Sequence, residues 1–509
     1  MSARIVVAAA AALLVASCKV GPDYVRPSAP IPMHYRAARG WRLATPRLAG
    51  SNQPWWAVYH DRVLDRLMRQ IDISNQNLKQ AEAAYRVSLT LVAQAEAQLY
   101  PTGTTSGAAQ RTGPLAPSTV PMTLASGRTS LGTVNEFSLN GAASWTPDVW
   151  GKIQRLITSQ QANAQASAAD LAAARLSAQA SLATDYFTLR ATDEQRRLLD
   201  SAVVAFTESL KITQNQYAAG NAALASVLQA KTQLEQTQAQ AINTGVARAQ
   251  LEHAIAVLIG KPPGDFSIAA APMPSRVPVT PPGIPSALLE RNPSIAAAER
   301  TMAAENEQIG IAIAAYYPDI TLSASLGVAS TLARNLFNAS NTIWAIGSSV
   351  DETIFDAGLR AAMVQEARAT YDEDVAMYRQ TVLTAFQQVE DQLAALRILA
   401  EQQVAEDATV RDAREAERLT LNQYLAGTVA YTSVIVAQTT ALTNEESALT
   451  ILQNRLAASV ALISALGGGW NAGEVPEAPE IVNYQPENGR LVPAPRRPWF
   501  ERLFEWDLW

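Results

Sequence analysis

The sequence predicts a mainly α-helical fold with a small β part, built from two copies of one unit. Long stretches with helical periodicity, one of them from Val149 to Tyr217, contain almost no proline or glycine. Short segments beside them alternate apolar and small polar residues, which is the period of a β-strand. Two pairs of matching segments lie about 210 residues apart, which indicates an internal duplication.

The duplication is visible in two separate matches. The segment NLKQAEAAYRVSLTLVAQAEAQLYP, which ends at Pro101, matches SIAAAERTMAAENEQIGIAIAAYYP, which ends at Pro318. The segment NQYAAGNAALASVLQAK matches NQYLAGTVAYTSVIVAQ and aligns Gly220 with Gly427. The offset is 217 residues in the first match (318 − 101) and 207 in the second (427 − 220). The length difference therefore falls in the Gly-, Thr- and Pro-rich stretch that follows Pro101.

Each unit is predicted to contain a helix, a β-hairpin, a very long helix and a shorter helix. Residues 61–99 carry apolar side chains at helical spacing, and Pro101 ends that helix. DITLSASLGVA after Pro318 alternates strictly, FSLNGAASW does the same, and WAIGSSV does so more weakly. The remaining strand, at residues 103–111, has the poorest pattern of the four. Asp148 and Asp356 then stand as N-caps of the long helices.

The predicted helix lengths exclude an ordinary globular core. The 69 residues from Val149 to Tyr217 extend about 100 Å as one helix. The shorter helices, at about 61–99 and 222–259, together reach a similar length. We therefore expect these two to stack end to end beside the long helix.

The predicted strands require more than one chain. Single-chain membrane barrels start at about eight strands, so four strands cannot close one. Three chains would supply twelve strands, each long enough to span a membrane and apolar on one face. The simplest arrangement is an oligomer whose strands close one barrel and whose helices continue it as a tube.

The N-terminus resembles an export signal for a lipoprotein. Arg4 precedes an apolar run over residues 5–15, which is too short to span a bilayer, and no later segment is predicted as a membrane helix. Val15-Ala16-Ser17-Cys18 resembles a bacterial lipobox, and Cys18 is the only cysteine in 509 residues. A single cysteine excludes an internal disulfide. A net charge of −6 and the lack of Lys and Arg clusters argue against nucleic acid as a partner.

These residues together resemble the TolC-like outer-membrane efflux duct family, in its NodT-type lipoprotein branch. The resemblance rests on CKVGPDYVRP at 18–27, on WWAVYHDRVLDRLMRQIDISNQNLKQAEA from Trp55, on the twin repeats and on the two Y-x-x-G turns. It implies a homotrimer with a 12-stranded outer-membrane β-barrel and a periplasmic α-barrel. It also implies two partners, a periplasmic adaptor (membrane fusion) protein and an inner-membrane resistance-nodulation-division pump. Cys18 would carry a covalent lipid, with no other cofactor, and would anchor the chain in outer-membrane lipid.

The resemblance also assigns roles at the far ends of the long helices. The periplasmic tips, where the adaptor docks, would contain Tyr217, Gly220, Tyr424 and Gly427. The periplasmic gate would be formed by Thr432, Ser433 and Val436. Many family members carry Asp six or nine residues after the second tip glycine, whereas this sequence has Ser433 and Val436 there. We therefore expect a neutral gate.

The sequence divides into six parts. They are a signal peptide at 1–17, a lipid-anchored segment at 18–60, a first repeat at 61–260 with its β-hairpin at about 102–147, a Pro-rich equatorial linker at 261–290, a second repeat at 291–467 with its β-hairpin at about 319–353, and a C-terminal tail at 468–509.

No catalytic or metal-binding pattern is apparent in the sequence. His34, His60 and His253 lie far apart, without the Cys, His or Asp spacing of a metal site. The expected function is a passive, non-enzymatic duct for drugs or other small molecules. The alternatives are a lipid-anchored structural coiled-coil protein of the envelope, or a duct for protein secretion or metal-ion efflux. The period-two segments favour a duct, because a structural coiled coil has no use for them.

Overall fold

A computed structural model describes residues 19–36, 54–113, 122–123, 129–130, 132–279, 285–477, 481, 484–485 and 490–491. The predicted signal peptide, Cys18 and most of the C-terminal tail lie outside the described residues.

Helices form most of the described chain. The first repeat contains α1 (Arg62–Ser74), α2 (Gln76–Ala97), α3 (Lys152–Ala218) and α4 (Leu224–Leu258). A short helix, α5 (Pro285–Arg291), ends the linker, and the second repeat contains α6 (Pro293–Ala314), α7 (Leu359–Leu425) and α8 (Tyr431–Ala465). Both α3 and α7 have 67 residues, so each extends about 100 Å. Short 3₁₀ turns lie at Trp55–Tyr59, Pro263–Asp265, Ala333–Asn335, Ala339–Asn341 and Ala472–Glu474.

The four predicted strands form one antiparallel sheet. They are β1 (Thr102–Thr112), β2 (Val134–Trp145), β3 (Asp319–Ser330) and β4 (Thr342–Asp351), and they lie side by side in that order. Their register places Gly141 opposite Leu326 and Leu326 opposite Trp344. Two-residue ladders also join Met122–Thr123 to Thr129–Ser130 and Tyr484–Gln485 to Arg490–Leu491. In the four-stranded sheet, β1 and β4 are edge strands and are exposed along their whole length.

The helix predicted over 61–99 is broken in the structure at Asn75, which corrects the expectation of one helix. The Asn75 side chain accepts a hydrogen bond from the Leu78 N–H (2.9 Å) and so caps α2. Its amide group donates to the Leu258 carbonyl (2.6 Å), at the end of α4. Asn75 therefore caps the start of α2 and binds the end of α4.

The second repeat contains the same junction. Asn292 caps α6 by accepting from Ser294 N (3.0 Å), and its amide donates to Ala465 O (3.3 Å) at the end of α8. The expected end-to-end stacking of the shorter helices is thus present twice, with α4 below α2 and α8 below α6.

The stacked helices pack beside the long ones. Near the sheet, α3 packs against α2 and α6, and in the other half it packs against α4 and α8; α7 packs against α6 and α8. One apolar cluster joins α1, α3 and α4 around Leu64 and Phe187. A second joins α6, α7 and α8 around Ile295 and Val389. Among the described residues the apolar side chains form separate clusters, each filling only a short length of the helical layer.

The two predicted N-cap aspartates act from outside the helices. The residues directly preceding α3 and α7 are Gly151 and Gly358, with φ of 75° and 92°. Asp148 nevertheless accepts from the N–H groups of the first turn of α3, including Gln154 N (2.7 Å). Asp356 accepts from Arg360 and from Gly358 N, and these hydrogen bonds lower the pKa of Asp356 to about 2. The carboxylates satisfy the helix N-termini, although they lie further out than expected.

One helix differs from the expectation that no segment after the export signal resembles a membrane helix. Within the described part of the chain, α8 is long and apolar enough to cross a membrane by length and composition. In the structure it packs against α3 and α7, and residues such as Val434 and Leu462 are fully buried there. Its apolar composition is accounted for by this packing.

Candidate functional site

The turns that follow α3 and α7 have the same backbone geometry. Gly220 and Gly427 have φ of 78° and 74°, in the left-handed region that glycine adopts without steric cost. Asn221 N donates to Gln216 O (2.8 Å) and Thr428 N donates to Gln423 O (3.0 Å), which is the Schellman arrangement of a helix C-terminus. A side chain at either glycine would meet no atom within 4 Å. The backbone conformation alone therefore requires glycine at these turns.

The two tip tyrosines have different surroundings. Tyr217 is 47% exposed, whereas Tyr424 is 6% exposed. The Tyr424 ring lies 5.2 Å from the ring of Tyr431, and its hydroxyl is 3.4 Å from Thr213 Oγ1. Burial beside Tyr424 raises the pKa of Tyr431 to about 12. Tyr424 therefore joins the two hairpins within one chain, and Tyr217 is the tyrosine available at the surface.

The three predicted gate residues lie in the first turns of α8. Thr432 and Ser433 are exposed and Val436 is 65% exposed, while Tyr431 and Val434 on the opposite face are buried. The tip turns and the gate residues are thus brought to the same end of the chain. Thr432 and Ser433 contribute hydroxyl groups and Val436 contributes an apolar side chain. None of the three side chains is ionisable.

A polar network above the tips was missed by sequence reasoning. Gln438 and Ser209 are both buried, and the Gln438 amide donates to Ser209 Oγ (3.1 Å) between α8 and α3. Arg414 forms an ion pair with Glu445. Burial, followed by the negative charge of Glu445, raises the pKa of Glu417. The sequence alone presented Glu417 as one of several acidic residues on α7, and no pattern within α7 indicated that α8 would cover it.

Aromatic residues lie at the junction of helices and sheet. The Trp150 indole donates to Pro318 O (2.9 Å) and its ring stacks on Tyr317 at 4.8 Å. Trp145 donates to Leu99 O (2.9 Å). A cavity of about 460 Å³ lies between these groups. Aromatic side chains grouped at one level are typical of the aromatic belt of a membrane β-barrel at its interface with water.

The first described residues of the chain lie at this same junction. Val20 N donates to Trp150 O (3.2 Å), and Lys19 forms an ion pair with Glu307 (3.2 Å). Cys18, the predicted lipidation site, lies outside the described residues. Among the residues that the structure describes, there is no group of three or more His, Cys, Asp or Glu side chains arranged to hold a metal ion.

The duplicated unit, with its β-hairpin between helices, is also found in other proteins. The sequence profile described as "Outer membrane efflux protein" matches residues 67–261 and 284–468, which is most of both repeats. The chain belongs to the outer membrane efflux protein family.

Similar members of this family have related names. The pyoverdine export outer membrane protein OpmQ of Pseudomonas aeruginosa is 30% identical over 465 residues, which cover 91% of this chain and 96% of that protein. The probable efflux pump outer membrane protein TtgC of Pseudomonas putida is 28% identical over 470 residues, covering 91% and 95%. The cation efflux system protein CusC of Escherichia coli is 25% identical over 462 residues, covering 90% and 97%.

Solved structures of such channels share the fold. The outer-membrane channel OprN superimposes with a TM-score of 0.81 at 26% identity, covering 89% of this chain and 100% of that one. The open-state MtrE channel of Neisseria gonorrhoeae superimposes with a TM-score of 0.77 at 24% identity, covering 89% and 99%. The chain is therefore an outer-membrane efflux channel protein, with its helices as the periplasmic extension.

Proposed function

We propose that this chain forms, as a homotrimer, the exit duct of a tripartite pump and passively conducts drugs or other small molecules from the periplasm to the exterior. The observation that carries the proposal is the open sheet. Neighbouring strands are antiparallel throughout the order β1-β2-β3-β4, so the edge strands β1 and β4 run in opposite directions. An edge of one copy can then pair antiparallel with the other edge of the next copy. Three copies give twelve strands and leave no edge.

The helices support the same proposal. Each strand pair leads directly into a long helix, so a closed ring of strands continues as a ring of helices. The lateral faces of α4 and α7 are exposed in one chain and carry apolar residues such as Ile242, Val246, Met377 and Val404. Contact between neighbouring copies would cover such residues. The tube needs no chemical step, and we propose no enzymatic activity.

The proposed adaptor meets the duct at its tips, and the proposed pump supplies the cargo. The adaptor would dock at the turns around Gly220 and Gly427, with Tyr217 exposed beside the first of them. The inner-membrane pump, of the resistance-nodulation-division type, would deliver the cargo. The similar proteins are named for pyoverdine export, for a general efflux pump and for cation efflux. These names support a small-molecule or ion cargo over an exported protein, and the duct accepts what the pump delivers.

Three measurements test the duct. Native mass spectrometry of the detergent-solubilised protein should give the mass of three chains. The purified protein should conduct ions in a planar bilayer, and its gene should restore drug resistance to a strain that lacks it. Trimers that insert without conducting would overturn the proposal in favour of a structural envelope protein.

We further propose that Cys18 carries the lipid that anchors the chain. Acylation adds about 0.8 kcal/mol of membrane affinity for each buried methylene. The variant Cys18→Ser should leave an unacylated precursor, and mass spectrometry of the mature N-terminal peptide reads this directly. Drug resistance should persist in that variant, because the barrel already holds the trimer in the membrane. An unmodified Cys18 thiol in the native protein would refute the anchor and leave the duct intact.

A further inference from the structure

Residues 19–24, here called the N-terminal strap, lie across α3 and α6 just below the sheet. Val20 N donates to Trp150 O (3.2 Å), and the Lys19 ammonium lies 3.2 Å from Glu307 Oε2. Further along, the Tyr24 hydroxyl donates to Glu299 Oε1 (2.6 Å). The strap is thus held by contacts to helices that lie more than a hundred residues away in the sequence.

Arg155 is at the centre of these contacts, and its side chain is fully buried. Its Nη1 donates to Glu307 Oε2 (2.8 Å) and to Pro22 O (3.1 Å), and its Nε donates to Val20 O. Its Nη2 lies 3.9 Å from the exposed carboxylate of Asp23. A buried guanidinium requires partners for its N–H groups. Two of those partners are backbone carbonyls of the strap.

Two glycines let the strap approach the helices closely. A side chain at Gly310, in α6, would overlap the Arg155 side chain. A side chain at Gly21 would place its Cβ 2.6 Å from Gly310 Cα, and Gly21 has φ of 97°. The strap therefore crosses α6 at a point where both segments have glycine, Gly21 in the strap and Gly310 in α6.

The repeat-related positions do not carry these residues. At the repeat offsets, Arg155 corresponds to Ala362, Glu307 to Thr90 and Gly310 to Ala93. That list contains no buried charge and no glycine. The strap crosses the junction of α3 and α6, and this junction is where the Arg–Glu–Gly set is found.

We propose that Arg155, Glu307 and Gly310 form a binding site for the chain's own residues 19–22. Arg155 donates to backbone carbonyls of the strap. Gly310 has no side chain, so the strap backbone can cross α6 at Gly21. It fixes the segment directly behind Cys18 at the membrane-facing end of α3, beside the aromatic residues Trp150 and Tyr317. For the lipid anchor, whose existence rests on the proposed function, the site sets the level at which the chain enters the membrane.

Hydrogen–deuterium exchange of the full-length trimer in detergent tests the site. In the native protein the Val20 amide, bonded to Trp150 O, should exchange slowly. In Arg155→Met and in Gly310→Ala it should exchange at least about ten-fold faster, because the strap is released locally. Arg155→Lys, which keeps the charge but loses the planar set of donors, should fall between them. A Val20 amide that stays protected in Arg155→Met would overturn the proposal.

Matched controls separate the site from general destabilisation. Gly245→Ala changes a mid-helix glycine of α4 whose Cβ would meet no atom within 4 Å, so Val20 exchange should not change. If Arg155→Met also loses protection throughout α8, Gly21→Ala decides, because it alters only the strap. Release of the strap in Gly21→Ala supports the site, and retained protection overturns it.

One more variant distinguishes the contribution of the lipid from that of the site. In Cys18→Ser the Val20 amide should remain protected, because the site binds backbone and not lipid. Loss of protection in Cys18→Ser alone would show that the anchor holds the strap, which overturns the proposal. Absence of lipid from the native N-terminal peptide would refute the anchor without affecting the exchange result.

Discussion

Tyr424 lies between the two helical hairpins, whereas its repeat counterpart Tyr217 is half exposed at the end of the first. The neighbour of Tyr424 is Tyr431, and the corresponding residue of the first hairpin is Leu224, which is 52% exposed. An aromatic pair thus stabilises only the second tip. Identical residues at repeat-related positions therefore have different roles.

This difference predicts different costs for truncation. Tyr424→Ala removes a buried aromatic side chain and should lower the free energy of unfolding by about 3 kcal/mol. Tyr217→Ala removes a surface side chain and should lower it by less than about 0.5 kcal/mol. Thermal unfolding of the two variants, followed by circular dichroism, measures the contrast. Equal losses would show that Tyr217 is also buried, against a neighbouring copy.

The raised pKa of Glu417 predicts a pH effect. Burial and the charge of Glu445 disfavour the carboxylate in the folded chain, so its folded pKa lies above its unfolded value. The ionised group therefore destabilises the fold at neutral pH, and this cost disappears as the pH falls through the folded pKa. Glu417→Gln should raise the thermal midpoint at about pH 8 and change it little at about pH 4.

Glu415 provides the control for that experiment. It is exposed, and its hydrogen bond to Arg418 lowers its pKa. Its carboxylate contributes stability that is present above the unfolded pKa and lost as the pH falls through the folded one. Glu415→Gln should therefore leave the midpoint at about pH 8 unchanged or lower it. A midpoint that falls at about pH 8 in Glu417→Gln would contradict the assigned burial.

At the scale of whole elements, the helices are joined by two kinds of device. Asn75 and Asn292 link stacked helices by capping one and donating to the last carbonyls of the other. The left-handed glycines Gly220 and Gly427 reverse the chain at the tips. The asparagine contacts join the stacked helices in the middle of each repeat, and the glycines form the turns at its tip.

The tip turns carry a prediction about docking. Gly427→Val forces a side chain into the left-handed region, at about 1–2 kcal/mol, in a place with no neighbouring atom. Trimers should still assemble, but drug resistance should be lost because the proposed adaptor-docking surface is changed. Gly469→Val is the control, since Gly469 also has positive φ (91°) and open space but lies outside the tips. Full resistance in the Gly427→Val strain would exclude docking at this turn.

At the scale of the whole molecule, the proposed three-fold assembly brings three copies of each gate residue together. In one chain Thr432, Ser433 and Val436 occupy one exposed face of α8. A ring of such residues would have no fixed charge, and we propose that it closes by packing and neutral hydrogen bonds. Neutral and apolar constrictions give little charge selectivity.

A neutral gate predicts weak sensitivity to divalent cations. The native channel should show little block in planar bilayers when divalent cations are added on the periplasmic side. Val436→Asp should create block, because three carboxylates would face one another at the mouth. Val436→Asn, similar in size but uncharged, should behave like the native channel. Strong block of the native channel would instead place acidic residues such as Asp407 or Asp412 at the mouth.

Sequence by itself determined the features that depend on local physical chemistry. Alternation along the chain identified the strands, unbroken helical periodicity gave the long helices, and glycine after each QY-x-A motif identified the left-handed turns. The duplication placed Gly220 and Gly427 at equivalent ends. From this pattern the chain could be assigned to a tube-forming fold, and the family resemblance then assigned the candidate tip and gate residues on it.

Only the tertiary structure decided the features whose partners come from distant parts of the chain. The break at Asn75 is invisible in residues 61–99, because its apolar spacing runs through both helices and the carbonyl it binds belongs to Leu258. Burial of Tyr424 depends on α3, and burial of Arg155 depends on the strap. In each case a polar group is satisfied, or an aromatic ring covered, by a residue that no local pattern specifies. Periodicity encodes which face of an element is buried, and packing alone determines what covers it.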